Sequence, residues 1–174
     1  TVLNFKGAKI TGLISNFTAW GVIIPVAGIS VIGWFWFNPE TYISAWNPHD
    51  LPTFDAISAS ISMTLWSFLG LESACANSES VDNPEKNVPK AVLGATIGVA
   101  VIYILSTNVA AGIVDNAELV KSTAPFGLVF ATMFNGTVGQ IVMGLMIMSC
   151  SGSLLSWQFT IARVFKSSAD EGYF

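Results

Sequence analysis

The stretch Thr64–Ala74, "TLWSFLGLESA", sets a single glutamate, Glu72, into an apolar run. From Ala56 to Leu71 the chain carries no charge, and after Glu72 the next charge is Glu79. If this run crosses a bilayer, Glu72 lies at membrane depth. If it does not, the run is a buried helix with a carboxylate at its end. The rest of the chain decides between the two.

The chain has 174 residues, of which 52% are hydrophobic and 10% charged. Its mean hydropathy is +0.62. A soluble domain carries about 25% charged residues, so these charges are too few to cover a water-facing surface, and most of the surface faces lipid. A net charge of −4 with seven Lys and Arg excludes a basic nucleic-acid face.

Four uncharged windows organise the chain: Ile10–Pro39, Ala56–Leu71, Ala91–Val114 and Ser122–Ala162. A spanning helix needs about 20 apolar residues. Three windows meet this outright; the second meets it only if Glu72 is inside the membrane. The expected fold is an all-α membrane protein with four transmembrane helices, at about 12–36, 56–78, 91–114 and 138–163. Lys6, Lys9, Lys86, Lys90, Arg163 and Lys166 then fall on one side and Lys121 alone on the other. The positive-inside rule makes the first side cytoplasmic, with the N-terminus, the 79–90 loop and the C-terminus.

Within this frame, Pro25 is placed to kink the first span, and Trp34 and Trp36 mark its outer interface. Asn38–Phe54, with three prolines, reads as an external loop. The external segment 115–137 is too apolar for a loop. It reads as two short helices meeting near Pro125 and packed on the outer face, because a mobile loop has little use for Phe126, Phe130 and Phe134. Pro89 suits an early position of the third span, where a missing N–H costs nothing. Cys75 and Cys150 lie in apolar spans, which argues against a disulfide. No zinc, Walker, Rossmann or hydrolase motif is present, so neither a cofactor nor a metal is expected. Both ends of the chain read as cuts within a longer protein.

A carboxylate in a membrane helix is costly, about 2.5–3.5 kcal/mol at the centre. Glu72 is therefore paired with a polar group, hydrated near the interface, or part of a substrate or proton pathway. Its depth argues against hydration, and the residue alone leaves the other two open. Its neighbours favour the pathway. Gly70 is a weak point in the helix, and non-helical backbone at membrane depth is tolerated only where it is buried in protein or lines a cavity. Broken helices near the midplane are how many secondary transporters build their sites. In an unbroken helix Trp66 and Glu72 stand about 120° apart; a break at Gly70 lets both address one cavity. In the fourth span Ser149, Ser153 and Trp157 share a face at i, i+4 and i+8. Close packing against another helix explains the small residues but not the tryptophan.

"TLWSFLGLESACA", "NPEKNVPKAVLGAT" and "GSLLSWQFTIARVFKSSADEGYF" together resemble the basic amino acid and polyamine antiporters of the amino acid–polyamine–organocation superfamily. The likeness runs through the whole chain and includes "GVIIPVAGISVIGWFWF" and "STAPFGLVFATMF". It implies a twelve-helix transporter with five-plus-five inverted repeats, of which this chain supplies helices five to eight. It implies alternating access in a bacterial inner membrane, with no enzyme activity, and a possible homodimer. Putrescine–ornithine exchange and proton-coupled putrescine uptake fit best; cadaverine–lysine or agmatine–arginine exchange, or a non-transporting scaffold or channel subunit, are the alternatives. By the resemblance, Trp66 stacks on the substrate, Ser67, Leu69 and Gly70 lie in the unwound segment, Glu72 is the acidic group of the site and Trp157 belongs to the inner gate. The lysine that some relatives bury in the first span is absent, since none lies between Lys9 and Lys86.

The chemistry is coherent. A diamine is two ammonium groups on an apolar chain. It wants a carboxylate, aromatic faces and carbonyl oxygens, and desolvated cation–π contacts reach about 2 kcal/mol.

Overall fold

A computed structural model describes residues 8–70, 73, 75, 78 and 81–173. Among them the ordered elements are all helical. Helix α1 spans Ala8–Ile32 and passes into a 3-10 turn, Gly33–Trp36. Then follow α2 (Pro39–Trp46), α3 (Thr53–Phe68), α4 (Pro84–Ile113), α5 (Asn116–Lys121), α6 (Pro125–Met133) and α7 (Gly136–Asp170).

Three stretches are helical, long and apolar enough to cross a membrane: Ile10–Trp36, Pro84–Ile113 and Gly136–Asp170. The second expected span is not among them. Its helix, α3, has 16 residues and ends at Phe68, which is about 24 Å of helix.

The other boundaries shift in one direction. Helix α4 starts at Pro84 rather than 91, and α7 runs to Asp170 rather than 163. Apolar windows delimit the part of a helix that suits lipid, not the helix itself. Hydrogen bonding carries α4 and α7 on through Glu85, Lys86 and Lys90 and through Arg163, Lys166 and Asp170. Pro89 consequently sits inside α4 rather than at its first turn.

The external loop Asn38–Phe54 also needs correction, because it holds α2. The cap is local: the Asn38 side chain accepts from the Glu40 N–H at 2.9 Å, Pro39 takes the first helical position and Glu40 follows in the first turn. Helix α2 is pinned to α4 by the Asn38 N–H donating to the Gly112 carbonyl at 2.8 Å and by Tyr42 donating to Asn108. The Phe37 ring occupies the space a side chain at Gly112 would need.

In the segment 115–137, α5 and α6 are separated by three residues, and Pro125 opens α6. Val129, Phe130 and Met133 are buried, Phe126 is half-buried, and Phe134 lies outside the core with its ring 5.2 Å from that of Trp36. Val129, Phe130 and Met133 close one core with Ile29 of α1, Val109 of α4, Val114 just after α4, and Val142 of α7. The core thus gathers at the end where α1 and α4 finish and α7 begins.

The other large contact joins α1 to α7. Ser15 meets Ser156, Thr18 meets Gly152 and Gly21 meets Leu145. Numbering rises on one helix as it falls on the other, so the two run antiparallel.

Candidate functional site

The last turn of α3 is where the backbone changes character. The Leu69 N–H reaches back to the Trp66 carbonyl at 3.4 Å. Leu69 is extended, with φ −66° and ψ 137°. Gly70 then takes φ +100°, a conformation that a β-carbon disfavours. The Gly70 carbonyl accepts from the Ser73 N–H at 3.0 Å and from the Ser73 hydroxyl.

Gly70 needs to be glycine for a second reason. A β-carbon there would stand 2.9 Å from Cζ2 of Trp157. The indole of α7 thus lies directly on the left-handed turn that ends α3. The structure brings Gly70 and Trp157 together although 87 positions separate them.

The remaining candidates are placed as follows. Trp66, on the final turn of α3, is 77% exposed. Ser67 and Leu69 are also exposed. Trp157 is 46% exposed, with the rest of its surface covered. Glu72 lies outside the described residues. Ser149 is buried, but Ser153 of the expected Ser149–Ser153–Trp157 face is exposed. The buried face of α7 is instead Ser149 with Gly152, and it packs on α1. The helix-contact account therefore holds for Ser149 and Gly152, and Trp157 stands apart from that contact.

One participant went unnoticed in the sequence. Tyr103 of α4 donates its hydroxyl to the Ser67 carbonyl at 3.3 Å. The Phe68 ring meets its ring edge-on at 5.7 Å. The last carbonyls of a helix lack intrahelical partners, and Tyr103 serves one of them. The signal was available: a lone tyrosine in the uncharged window Ala91–Val114, since a tyrosine in an apolar span seeks a partner for its hydroxyl.

A separate cleft of about 630 Å³ opens further along α7, lined by Cys75, Ser78, Phe159, Arg163, Lys166 and Tyr173 among others. The Arg163 guanidinium sits 4.9 Å above the Phe159 ring. Its Nη1 is buried without a hydrogen-bond partner among the described residues. Among those residues no cluster of three His, Cys, Asp or Glu is arranged for a metal.

The described residues thus bring a helix end at Leu69–Gly70 and the indole of α7 into direct contact. The amino acid permease family model matches residues 1–174, and the chain belongs to that family. It is 73% identical over its whole length to the putrescine transporter PotE of Haemophilus influenzae and 68% identical to that of Escherichia coli. It is 30% identical to the cadaverine/lysine antiporter of Escherichia coli. The chain spans about 40% of the length of these relatives.

Proposed function

We propose that this chain is part of a membrane antiporter that exchanges putrescine for ornithine and takes up putrescine with protons, by alternating access. The observation that carries the reading is the glycine turn at Leu69–Gly70 under the Trp157 indole, in a chain so similar to two putrescine transporters. On this reading Trp66, Ser67, Leu69, Gly70, Glu72 and Trp157 line the substrate site. The segment 56–78 is the second of four spans and is broken near Gly70. The four spans are helices five to eight of twelve, in a five-plus-five inverted-repeat fold. The N-terminus, the 79–90 loop and the C-terminus face the cytoplasm of a bacterial inner membrane, and assembly of the full transporter as a homodimer belongs to the same reading. Identity of 73% against 30% favours putrescine over cadaverine.

The roles follow from chemistry. The Trp66 and Trp157 faces attract the ammonium groups and cover the methylene chain. The opened backbone offers carbonyl acceptors. Glu72 supplies the negative charge, and a carboxylate at that depth can also carry the coupling proton. The test uses the full-length protein in proteoliposomes. Glu72→Gln keeps the shape and removes the charge, and it should cut putrescine exchange at least about tenfold, the scale of losing one charge-assisted hydrogen bond. Glu85→Gln, at the start of α4, should do little. Wild-type exchange by Glu72→Gln would make the carboxylate structural.

A further inference from the structure

The hydroxyls of Ser15 on α1 and Ser156 on α7 meet at 2.5 Å in a half-buried seam. One turn along, Thr18 occupies the space beside Gly152, where a β-carbon would overlap it. A further turn along, a β-carbon at Gly21 would stand 2.8 Å from the Leu145 carbonyl oxygen. The Thr18 hydroxyl is used within α1, donating to the Ile14 and Ser15 carbonyls at 2.9 and 3.2 Å, so Thr18 fits by shape. Of these three contacts, two are made by shape and Ser15–Ser156 by a hydrogen bond between side chains.

Such a seam fixes how α7 is rotated about its own axis. Ser156 immediately precedes Trp157, and successive residues stand about 100° apart around a helix. The face bonded to α1 and the face presenting the indole are therefore locked to each other. The indole in turn rests against Gly70, with no room for a β-carbon between them. A small rotation of α7 would lift the ring from the turn or press it into the backbone.

We infer that the Ser15–Ser156 pair is a positioning latch: it holds α7 in the rotation that keeps Trp157 on Gly70, and through Trp157 it sets affinity for the cationic substrate. Neither serine touches the substrate. The effect on affinity rests on the reading of Gly70 and Trp157 as substrate site; the effect on the indole does not.

The test is a double-mutant cycle in the full-length transporter, read by equilibrium putrescine binding and by exchange kinetics. Ser15→Ala and Ser156→Ala should each weaken putrescine binding about threefold, the usual worth of an interhelical hydrogen bond in a membrane. They should raise KM with little change in kcat. Ser15→Thr, which keeps the hydroxyl, should bind like wild type. In a Trp157→Leu background Ser15→Ala should cause no further loss, because the residue it acts through is gone. With 5-fluorotryptophan incorporated, the Trp157 fluorine resonance should shift or broaden in Ser15→Ala without substrate. Equal loss of affinity in both backgrounds would overturn the latch, and so would an unchanged Trp157 resonance. If Trp157→Leu itself binds putrescine normally, the substrate-site reading fails, and the fluorine resonance alone decides whether the serines position the indole.

Discussion

Helices α7 and α3 are both rich in serine, yet the fold treats them in opposite ways. On α7 one face is turned inward: Gly139, Val142, Ser149 and Gly152 are buried, and Gly152 admits Thr18 of α1. Helix α3 buries none of its 16 residues. Its hydroxyls turn back on their own backbone, with Ser60 donating to the Ala56 carbonyl and Thr64 to the Ser60 carbonyl, both at 2.8 Å. The loop before it is closed by the Asn47 side-chain amide, which bonds both the N–H and the carbonyl of Leu51; at its far end Tyr103 holds the Ser67 carbonyl. Close approach of two backbones makes a rigid seam, because helix association in a membrane depends on packing and small residues. On the proposed reading, the helix that ends at Leu69–Gly70 is the part suited to respond to a ligand.

This contrast makes graded predictions for the full-length protein. The largest effect belongs to the seam. Gly152→Val should destabilise by about 1–3 kcal/mol or more through overpacking against Thr18. It should be visible as a lower melting temperature in detergent and poor accumulation in the membrane. An equal drop from Ser58→Val on α3 would dissolve the contrast. Next comes Gly70→Ala, where a positive φ costs about 1–2 kcal/mol for a residue with a β-carbon and Trp157 blocks the space. Putrescine affinity should fall about tenfold, with the protein still accumulating. A variant that binds like wild type would mean the turn is not part of the site.

Further substitutions sharpen the picture. Trp66→Leu should weaken putrescine binding by about tenfold or more, the scale of a desolvated cation–π contact. Trp36→Leu, in the 3-10 turn beside Phe134, should leave it nearly unchanged. Equal loss in both would make Trp66 only an interfacial anchor. The smallest change is Tyr103→Phe, which removes one hydroxyl and keeps the ring against Phe68. A fall in affinity of about two- to threefold is expected, and none at all would show that the Ser67 carbonyl needs no fixed partner.

How much of this was legible in the sequence depended on the range of the interaction concerned. Local chemistry read well. The uncharged windows that supply most of α1, α4 and α7, the weak point at Gly70 and the helical pieces on either side of Pro125 all follow from composition and backbone preference. The omission of α2 was a misreading, since "NPE" at Asn38–Glu40 is a helix-start signature that the nearby prolines disguised. Tertiary choices did not read. Periodicity put Ser149 with Ser153 and Trp157, but the fold put Ser149 with Gly152. Nothing in a single helix says which of its overlapping small-residue faces a neighbour will take. The contact between Gly70 and Trp157 depends on where α7 sits relative to the end of α3. Tyr103 carried a signal as a lone tyrosine in an apolar window, but that its hydroxyl would take the Ser67 carbonyl was a tertiary choice. Glu72, on which the sequence argument turned, lies outside the described residues, so its place in the site remains part of the proposal.

The central claim is that the break at the end of α3 receives the substrate while the α1–α7 seam stays fixed. Amide hydrogen exchange on the full-length protein, with and without saturating putrescine, addresses both halves at once. The account predicts slower exchange in peptides covering Trp66–Gly70 when putrescine is bound, and unchanged exchange in peptides covering Leu145–Ser156. Unaltered exchange at Trp66–Gly70, or protection confined to the seam, would contradict it.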